Sequence, residues 1–352
     1  MELSKQEQQQ YDRHLILDEI GQKGQLKLKQ AKVLVIGAGG LGCPILQYLT
    51  AAGVGTIGVI DHDTIAQSNL QRQILYNYAD VGKLKAEIAT KRLSQLNPFI
   101  TFETHLERLT VDNAISLFSK YDIVVDGSDN FPTRYLVNDA AVLTNKPVVF
   151  GSIFKFEGQV SVFNYQNGPT YRCLYPNTPN PNEVPNCSEI GVLGVLPGII
   201  GSFQANEVIK IICGIGNVLS GKLLTYNTLS MMQLMLNFNK NTSINITDLE
   251  PNYDAICGIT PNNHKSITLE QLQQHPERYN LLDVRETEER ALYNIGGQHI
   301  PLGELHHRNS EIFQDKPVVV YCKSGVRAKK AINILNQNTI KMPLLFLKGT
   351  II

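Results

Sequence analysis

The chain has 352 residues, 43% of them hydrophobic and 18% charged, and its formal net charge is zero. This composition is ordinary for a globular protein, the length predicts two domains, and the neutral charge argues against nucleic acid or a membrane surface as the main partner. A polar N-terminal stretch argues against a signal peptide, and six scattered cysteines predict reduced, cytoplasmic thiols rather than a disulfide framework.

The first predicted elements form a nucleotide-binding unit. A strand, a glycine-rich turn, a helix and a second strand follow one another at 31–36, 37–42, 43–52 and 54–60. Gly37, Gly39 and Gly40 allow the turn to approach a phosphate closely, and the helix N-terminus adds free N–H groups and positive potential. Asp61 and Asp63 follow the second strand, and Asp61 stands where a carboxylate can bond a ribose hydroxyl. The pattern alone leaves open whether the ligand is a nicotinamide cofactor or ATP.

Helices and strands continue to alternate along the next hundred residues. The predicted helices cover 82–96, 111–119 and 132–144, and the predicted strands cover 100–104, 121–126 and 147–150. We therefore expect a doubly wound, Rossmann-like α/β fold with a mainly parallel sheet and helices on both faces. Antiparallel strands are expected to extend it at 152–165, and a buried helix at 195–212 and further strands near 222–226 and 231–237 are expected to follow.

Two segments have little periodicity. Residues 168–188 are rich in proline and asparagine and contain Cys187 near their end, and a loop of this length is usually functional or mobile. Residues 241–265 are predicted to be a linker between a first domain at 1–240 and a second domain at 266–352.

Charged residues beyond the glycine turn favour ATP over a hydride carrier. Arg72 and Lys85 are positioned to neutralise a triphosphate, and Asp129 lies just beyond the carboxyl end of a buried strand, where ligands bind in open α/β sheets. A lone carboxylate beside phosphates suits Mg²⁺. The alternatives are that Arg72 and Lys85 are solvated surface cations and that Asp129 caps the following helix.

Five motifs together resemble one family. Residues 37–42, 61–63, 68–73, Lys85 and 128–130 are closely similar to those of the MoeB/ThiF/HesA family, the bacterial relatives of ubiquitin-activating enzymes. The resemblance extends over nearly all of residues 1–240. It implies ATP- and Mg²⁺-dependent adenylation of the C-terminal glycine of a ubiquitin-like sulfur carrier, with release of pyrophosphate.

The same resemblance implies roles for individual residues. The positions that match the family's ATP-binding residues are Gly40, Asp61, Ser68, Asn69, Arg72, Lys85, Asp129 and Asn130. Arg13 matches an arginine that reaches the triphosphate of the other subunit in the family's homodimer. Cys187 matches a cysteine that takes up the activated carrier as a thioester or acyl disulfide, and the alternative is an ordinary surface thiol.

The family's zinc signature is incomplete in this sequence. Many members hold a structural zinc ion with two Cys-x-x-Cys pairs, but the matching positions here read Thr170 with Cys173 and Asp254 with Cys257. Because only two of four thiolates remain, we favour two remnant cysteines over a zinc site.

The second domain is organised around Cys322. This residue follows a predicted buried strand at 318–321 and precedes a helix at 328–335, so backbone N–H groups and the helix N-terminus are expected to stabilise a thiolate or persulfide. Gly325 permits the tight loop and Arg327 adds charge at its rim. This Cys-x-x-Gly-x-Arg loop resembles that of the rhodanese family, which implies that Cys322 is a persulfide carrier.

Two further features complete the comparison with rhodaneses. Asp283 and Arg285 are predicted to be a structural ion pair. Rhodaneses usually continue with another helix beyond the position of Gly349, which leaves the activity of this domain an open question.

Together the two domains predict one chemical route. The first activates a carrier that ends in Gly-Gly, and the second delivers sulfur from a donor such as a cysteine desulfurase, giving a thiocarboxylate. The destination of the sulfur, whether molybdopterin, thiamine or thiolated tRNA, stays open. Two alternatives are an adenylyltransferase whose rhodanese-like domain only docks a partner, and an NAD-dependent oxidoreductase built on the glycine turn.

Overall fold

The structure, a computed structural model, describes residues 2–178, 191–257, 265–337 and 342–348. The chain divides into two compact units, Met1–Ile259 and Thr260–Ile352. No helix among the described residues is long and apolar enough to cross a membrane.

The first unit is built on one sheet. The strands of its described part are β1 Lys32–Ile36, β2 Thr56–Ile60, β3 Thr101–His105, β4 Ile123–Asp126, β5 Val148–Phe154, β6 Glu157–Phe163, β7 Lys222–Asn227 and β8 Met232–Asn237. Their order across the sheet is β3-β2-β1-β4-β5-β6-β7-β8. The first five are parallel to one another and the last three are added antiparallel. The expected Rossmann-like sheet with antiparallel additions is confirmed.

Helices cover both faces of this sheet. Those in the described part are α1 Lys5–Gln10, α2 Asp12–Leu15, α3 Gly21–Gln30, α4 Gly42–Ala52, α5 Lys85–Leu96, α6 Val111–Phe118, α7 Phe131–Leu143, α8 Tyr171–Leu174, α9 Leu196–Cys213 and α10 Tyr253–Ile256. Alternate residues of β1 enter different cores, since Val33 and Val35 pack with α4 and α9 whereas Leu34 and Ile36 pack with α6 and α7. A strand that is apolar on both faces is what a buried parallel sheet requires.

Parts of the predicted loop and linker are ordered elements of the first unit. The segment predicted as a loop at 168–188 contains α8, and residues 179–190 lie outside the described residues. The segment predicted as a linker contains α10, where Tyr253 is buried in the core formed with α6 and α7. Long-range packing, which leaves no local periodicity in the sequence, positions these two helices.

The second unit is a smaller parallel sheet. Its described strands are β9 Lys265–Thr268, β10 Asn280–Asp283, β11 Gln298–His299, β12 Val318–Tyr321 and β13 Leu344–Lys348, in the order β11-β10-β12-β13-β9. Its described helices are α11 Leu269–Gln274, α12 Thr287–Leu292, α13 Leu305–Arg308 and α14 Val326–Gln337. The strand β13 and the start of β9 were not expected from the sequence, because each reads as a short run without clear alternation.

Candidate functional site

The glycine turn, residues 37–42, joins β1 to α4 in the first unit. Gly37 has a φ of +89°, which a side chain would strain, and a Cβ on Gly42 would clash with the carbonyl oxygen of Gly37. These two glycines let the chain turn sharply and start α4 at Gly42. The turn therefore exposes main chain to the pocket beside it.

The first acidic residue after β2 is tied to the glycine turn. One carboxylate oxygen of Asp61 accepts from the N–H of Ala38 at 2.8 Å and the other from the N–H of Asp63 at 2.8 Å. Burial raises the pKa of the Asp61 carboxyl above its usual range, although these two hydrogen bonds act in the opposite direction. Asp61 thus fixes the relative positions of β2 and the turn and still lines the pocket.

Lys85 lies at the start of α5 and is 6% exposed. Its Nζ donates to the carboxylate of Asp63 at 2.8 Å. Burial acts to raise the pKa of Asp63, but the hydrogen bond and positive charge of Lys85 outweigh it and hold that pKa below its usual value. The ion pair gives the buried Lys85 ammonium group an acidic partner at the edge of the pocket.

Arg72 follows the short 3-10 helix Gln67–Asn69 and is half-buried. Its guanidinium donates to the main-chain oxygen of Ser68 at 3.1 Å, and the side chain of Asn69 accepts from the N–H of Ala66 at 3.1 Å. Arg72 lines the pocket, whereas Ser68 and Asn69 do not. The polar run 68–72 thus holds the arginine in place.

Asp129 follows β4 and is exposed in the pocket. The cap of α7 is the neighbouring residue Asn130, whose side chain accepts from the N–H of Thr133 at 3.0 Å. The alternative that Asp129 caps this helix is therefore wrong, and its carboxylate is left to face the cavity.

One pocket brings together most of the residues predicted to bind nucleotide. Those that line it are Gly37, Gly39, Gly40, Asp61, Asp63, Arg72, Lys85, Asp129 and Asn130. Arg13 is not among them: its side chain is 89% exposed, and its nearest acidic partner in the described residues is Asp12, at 4.0 Å. The geometry gives Arg13 no contact with the pocket of its own chain.

Several polar residues of the pocket were missed by the sequence reasoning, among them Gln73, Arg134 and Lys155. Gln73 is 4% exposed, and its Oε1 has no hydrogen-bond partner among the described residues. Arg134 is a buried arginine on α7, and Lys155 has a φ of +53° at the turn between β5 and β6. The signal for Gln73 was its place in the motif 68–73, but nothing local distinguishes Arg134 from an exposed helical arginine.

The residues at the family's zinc positions make other contacts in the described structure. The Sγ of Cys173 accepts from the N–H groups of Thr170 and Asn241, each at 3.3 Å, and Asp254 forms an ion pair with Arg108 at 3.4 Å. Burial raises the pKa of the Cys257 thiol to about 11. Within the described ranges, no group of three potential metal ligands includes these residues. This donor set does not fit a tetrahedral zinc ion.

A metal-free network holds the same region together, and we call Asp139, Asn138, Arg172 and Tyr253 the Asp139 network. The Asp139 carboxylate accepts two hydrogen bonds from Arg172 at 2.7 Å, one from Tyr253 at 2.7 Å and one from Asn138 at 2.8 Å. Asp139 is 1% exposed. The network attaches α8 and α10 to α7, which is the task that a structural metal would otherwise perform.

The described cysteines are all unpaired. Cys43 and Cys213 are buried in the core of the first unit, and burial raises the pKa of Cys43 to about 12. Cys187 lies outside the described residues.

In the second unit, Cys322 stands between β12 and α14 and is 2% exposed. The N–H of Ala328 donates to its Sγ at 3.3 Å, and Gly325 has a φ of +82° in the loop between them. One N–H of the expected set thus points at the sulfur.

Arg327 is engaged by a carboxylate. Its two terminal nitrogens donate to Glu289 at 2.5 and 2.6 Å, and this hydrogen-bonded pair lowers the pKa of Glu289 to about 2. The predicted ion pair between Asp283 and Arg285 is confirmed, with nitrogen–oxygen distances of 2.8 and 3.0 Å.

Family models match both units. A model described as the ThiF family matches residues 11–246, and one described as a rhodanese-like domain matches residues 268–351. The probable adenylyltransferase/sulfurtransferase MoeZ of Mycobacterium tuberculosis is 44% identical over 348 residues, covering 94% of this chain and 88% of the relative. The sulfur carrier protein adenylyltransferase of Thermus thermophilus is 49% identical, covering 74% of this chain and 100% of the relative.

Solved structures share the fold of the first unit. The crystal structure of Escherichia coli MccB with MccA-N7isoASN has a TM-score of 0.58 at 24% identity, covering 63% of this chain and 68% of that one. The same enzyme with ATP has a TM-score of 0.55 at 24% identity, with the same coverage. At this level of identity the likeness concerns the fold alone.

Proposed function

Because the chain belongs to the ThiF family and continues into a rhodanese-like domain, we propose that it adenylates the C-terminal glycine of a ubiquitin-like sulfur carrier and then transfers sulfur to it. The relatives named above support both halves of this proposal, since one is called a sulfur carrier protein adenylyltransferase and the other an adenylyltransferase/sulfurtransferase.

The observation that supports the adenylation step best is the meeting of Arg72, Lys85 and Asp129 in one pocket beside the glycine turn. These three residues come from three different segments of the chain. Each of their predicted roles in binding a metal-bound triphosphate requires the other two residues to lie close by. Two cations and a free carboxylate around a main-chain phosphate site match a metal-bound triphosphate better than a nicotinamide cofactor.

In the proposed reaction, the carboxylate of the carrier's last glycine attacks the α-phosphorus of ATP. A C–O–P bond forms and the bond to the β-phosphate breaks, so pyrophosphate leaves with its electron pair. Arg72 and Lys85 stabilise the negative charge that develops on the leaving group. Asp61 holds the glycine turn against the nucleotide and faces its ribose.

The residues present fit a magnesium ion at Asp129. Its carboxylate faces the cavity and does not cap the helix, whereas Asp61 and Asp63 are already engaged by main-chain N–H groups and by Lys85. When bound, Mg²⁺ would neutralise charge on the phosphate oxygens. We propose no zinc-dependent step, because the donor set does not fit that metal.

The proposed sulfur step uses Cys322 as a persulfide. A sulfur donor such as a cysteine desulfurase supplies the sulfane sulfur. This outer sulfur atom of the Cys322 persulfide attacks the carbonyl carbon of the acyl adenylate. A C–S bond forms, the C–O bond to the phosphate breaks and AMP leaves. A second thiolate then bonds to the Cys322 sulfur of the resulting acyl disulfide and releases the carrier thiocarboxylate with the electron pair of the broken S–S bond. A cytoplasmic, reducing environment suits all of these thiols. The family resemblance gives Cys187 a separate covalent role in the route, as the cysteine that takes up the activated carrier as a thioester or acyl disulfide.

We further propose that the chain works as a homodimer in which Arg13 serves the other subunit's pocket. Arg13 is exposed and does not line the pocket of its own chain. If this is right, mixing inactive Arg13→Ala and Asp129→Ala proteins restores activity, because a mixed dimer has one intact pocket.

The experiment that tests the proposal is ATP–pyrophosphate exchange with candidate carriers that end in Gly-Gly, using the full chain. We expect exchange that requires both the carrier and Mg²⁺ and that stops when the last glycine is removed. Nicotinamide binding without any exchange would instead support the oxidoreductase alternative and refute the proposal. The carrier that supports exchange also decides which sulfur pathway is served.

A further inference from the structure

Arg134 is a buried charge at the edge of the nucleotide pocket that no predicted role explains. It lies one turn inside α7, is 9% exposed and lines the cavity. A buried arginine is costly unless its charge and its N–H groups are used.

The hydrogen bonds of Arg134 are sparse. Its guanidinium carbon lies 5.3 Å from the centre of the Phe131 ring and 5.6 Å from that of Phe150. One terminal nitrogen donates to the main-chain oxygen of Ser128 at 3.5 Å, and Nε is buried with no partner in the described residues. The side chain is thus held by aromatic rings and by one main-chain oxygen.

Asp126 completes the arrangement from the end of β4. Its carboxylate is fully buried, interacts with the charge of Arg134 and accepts from the N–H of Ser128 at 2.9 Å. Both main-chain groups of Ser128 are therefore hydrogen-bonded: its N–H donates to Asp126, and its carbonyl oxygen accepts from Arg134.

Ser128 belongs to the segment 127–130, which contains Asp129 and contacts the glycine turn. A Cβ on Gly37 would lie 3.1 Å from the carbonyl oxygen of Gly127, so the two turns touch. A shift of the 127–130 segment would move the Asp129 carboxylate relative to the main-chain phosphate site.

We propose that Arg134 is a positioning residue that fixes Asp129 in the geometry required for the divalent cation bound with ATP. This inference rests on the proposed function, and it adds a residue that acts on the cation only through the 127–130 segment. Residues that orient a metal ligand commonly contribute about 10- to 100-fold to metal affinity.

A purely structural arginine in the same unit looks different. Arg172 donates two hydrogen bonds of 2.7 Å to Asp139, which has four donors in all. Arg172 does not line the pocket. It provides the matched control, because it too is a largely buried arginine beside a buried carboxylate.

The direction in which the cation affinity changes when Arg134 is replaced distinguishes a positioning role from a purely electrostatic one. Removing a positive charge near a cation site would, by charge alone, make the cation bind more tightly. Loss of the proposed positioning makes it bind more weakly. The two explanations therefore predict opposite shifts.

The test is a titration of the full chain with Mn²⁺ in the presence of a saturating non-hydrolysable ATP analogue, followed by electron paramagnetic resonance. For Arg134→Gln we expect the Mn²⁺ dissociation constant to rise about tenfold or more. Excess Mg²⁺ should recover much of kcat in pyrophosphate exchange. Arg172→Lys should lower the melting temperature while leaving the Mn²⁺ dissociation constant unchanged.

Each outcome decides something. Unchanged or tighter Mn²⁺ binding by folded Arg134→Gln overturns the inference, and if that variant does not fold, Arg134→Lys replaces it, with weaker Mn²⁺ binding expected because lysine cannot reproduce the planar contacts. Asp129→Ala should lose the ion altogether. If Asp129→Ala binds Mn²⁺ normally, the proposed magnesium role of Asp129 is refuted as well. If Asp129→Ala loses Mn²⁺ but both Arg134 variants bind it as the wild type does, only the positioning role of Arg134 is refuted.

Discussion

The nucleotide pocket of the first unit and the Cys322 loop of the second unit prepare for anionic ligands in opposite ways. In the pocket, Asp129 is exposed and Arg72 is only half-buried, and both face a cavity. In the loop, Cys322 is 2% exposed and Arg327 is already bound by Glu289.

This difference follows from the size of the proposed ligands. A triphosphate with its metal arrives as a large, strongly charged group, so Arg72 and Asp129 are left available to it, whereas Lys85 is already paired with Asp63. A persulfide adds one sulfur atom to a fixed cysteine, and the N–H of Ala328 already donates to the Sγ of that cysteine. If the comparison is sound, the two sites should fail independently.

The largest expected effect is that of Cys322→Ser. This substitution should abolish persulfide formation and thiocarboxylate production, because the reacting sulfur is gone. Carrier-dependent pyrophosphate exchange should be unchanged. Sulfur transfer to cyanide and mass spectrometry of the carrier measure the first two activities, and normal thiocarboxylate production by the variant would support the docking alternative.

Next in size is the effect of Arg72→Ala. We expect pyrophosphate exchange to fall about 100- to 1000-fold, because a preorganised cation no longer stabilises the leaving group. Sulfur transfer from a donor to cyanide should be unaffected. Arg92, which pairs with Asp80 outside the pocket, offers a control substitution, and equal losses for the two alanine variants would contradict the role of Arg72.

A smaller effect is expected from Glu289→Gln. The pKa of Glu289 is lowered to about 2 from an ordinary value of 4.5, so its pairing stabilises the fold above about pH 4.5 and is lost as the pH falls towards 2. Because the pair is partly exposed, the contribution should be no more than about 1 kcal/mol.

Hydrogen exchange of the main-chain amides at 286–292 and 322–328, measured between pH 5 and 3, checks this pH dependence. The local opening free energy of the wild type should fall with pH more steeply than that of the variant. Glu288→Gln, on the same helix, should follow the wild type. If the opening free energy of the variant falls with pH as steeply as that of the wild type, the Arg327–Glu289 pair is not the source of the pH dependence.

The smallest expected effect is that of a metal chelator, which should leave the melting temperature of the full chain unchanged. The Asp139 network attaches α8 and α10 to α7, and the donor set at the family's zinc positions does not fit that metal. By contrast, Arg172→Ala should destabilise the chain by about 3–5 kcal/mol, since it leaves a buried carboxylate without its cation. A chelator-induced loss of stability, or zinc found by elemental analysis, would contradict this prediction.

The first half of the site was predictable because its signals are local. The glycines at 37–42, the acids that follow β2 and the cations at 72 and 85 lie close together in the sequence, and the rule that ligands bind at the carboxyl ends of parallel strands places Asp129 with them. The resemblance to known families added the reaction. The alternative interpretation of Asp129 as the cap of α7 was wrong by one residue, because Asp and Asn cap helices equally well.

What the sequence by itself determined is the order of the elements, the family and the residues whose chemistry is fixed by a short motif. Only the tertiary structure decided that Arg134 is buried beside Asp126, that Arg327 is bound by Glu289, and that Asp139 is bonded to Tyr253, 114 residues away along the chain. The physical reason is that burial and charge pairing depend on which distant segments pack together, and a periodic pattern of apolar residues specifies a face without naming the partner that covers it.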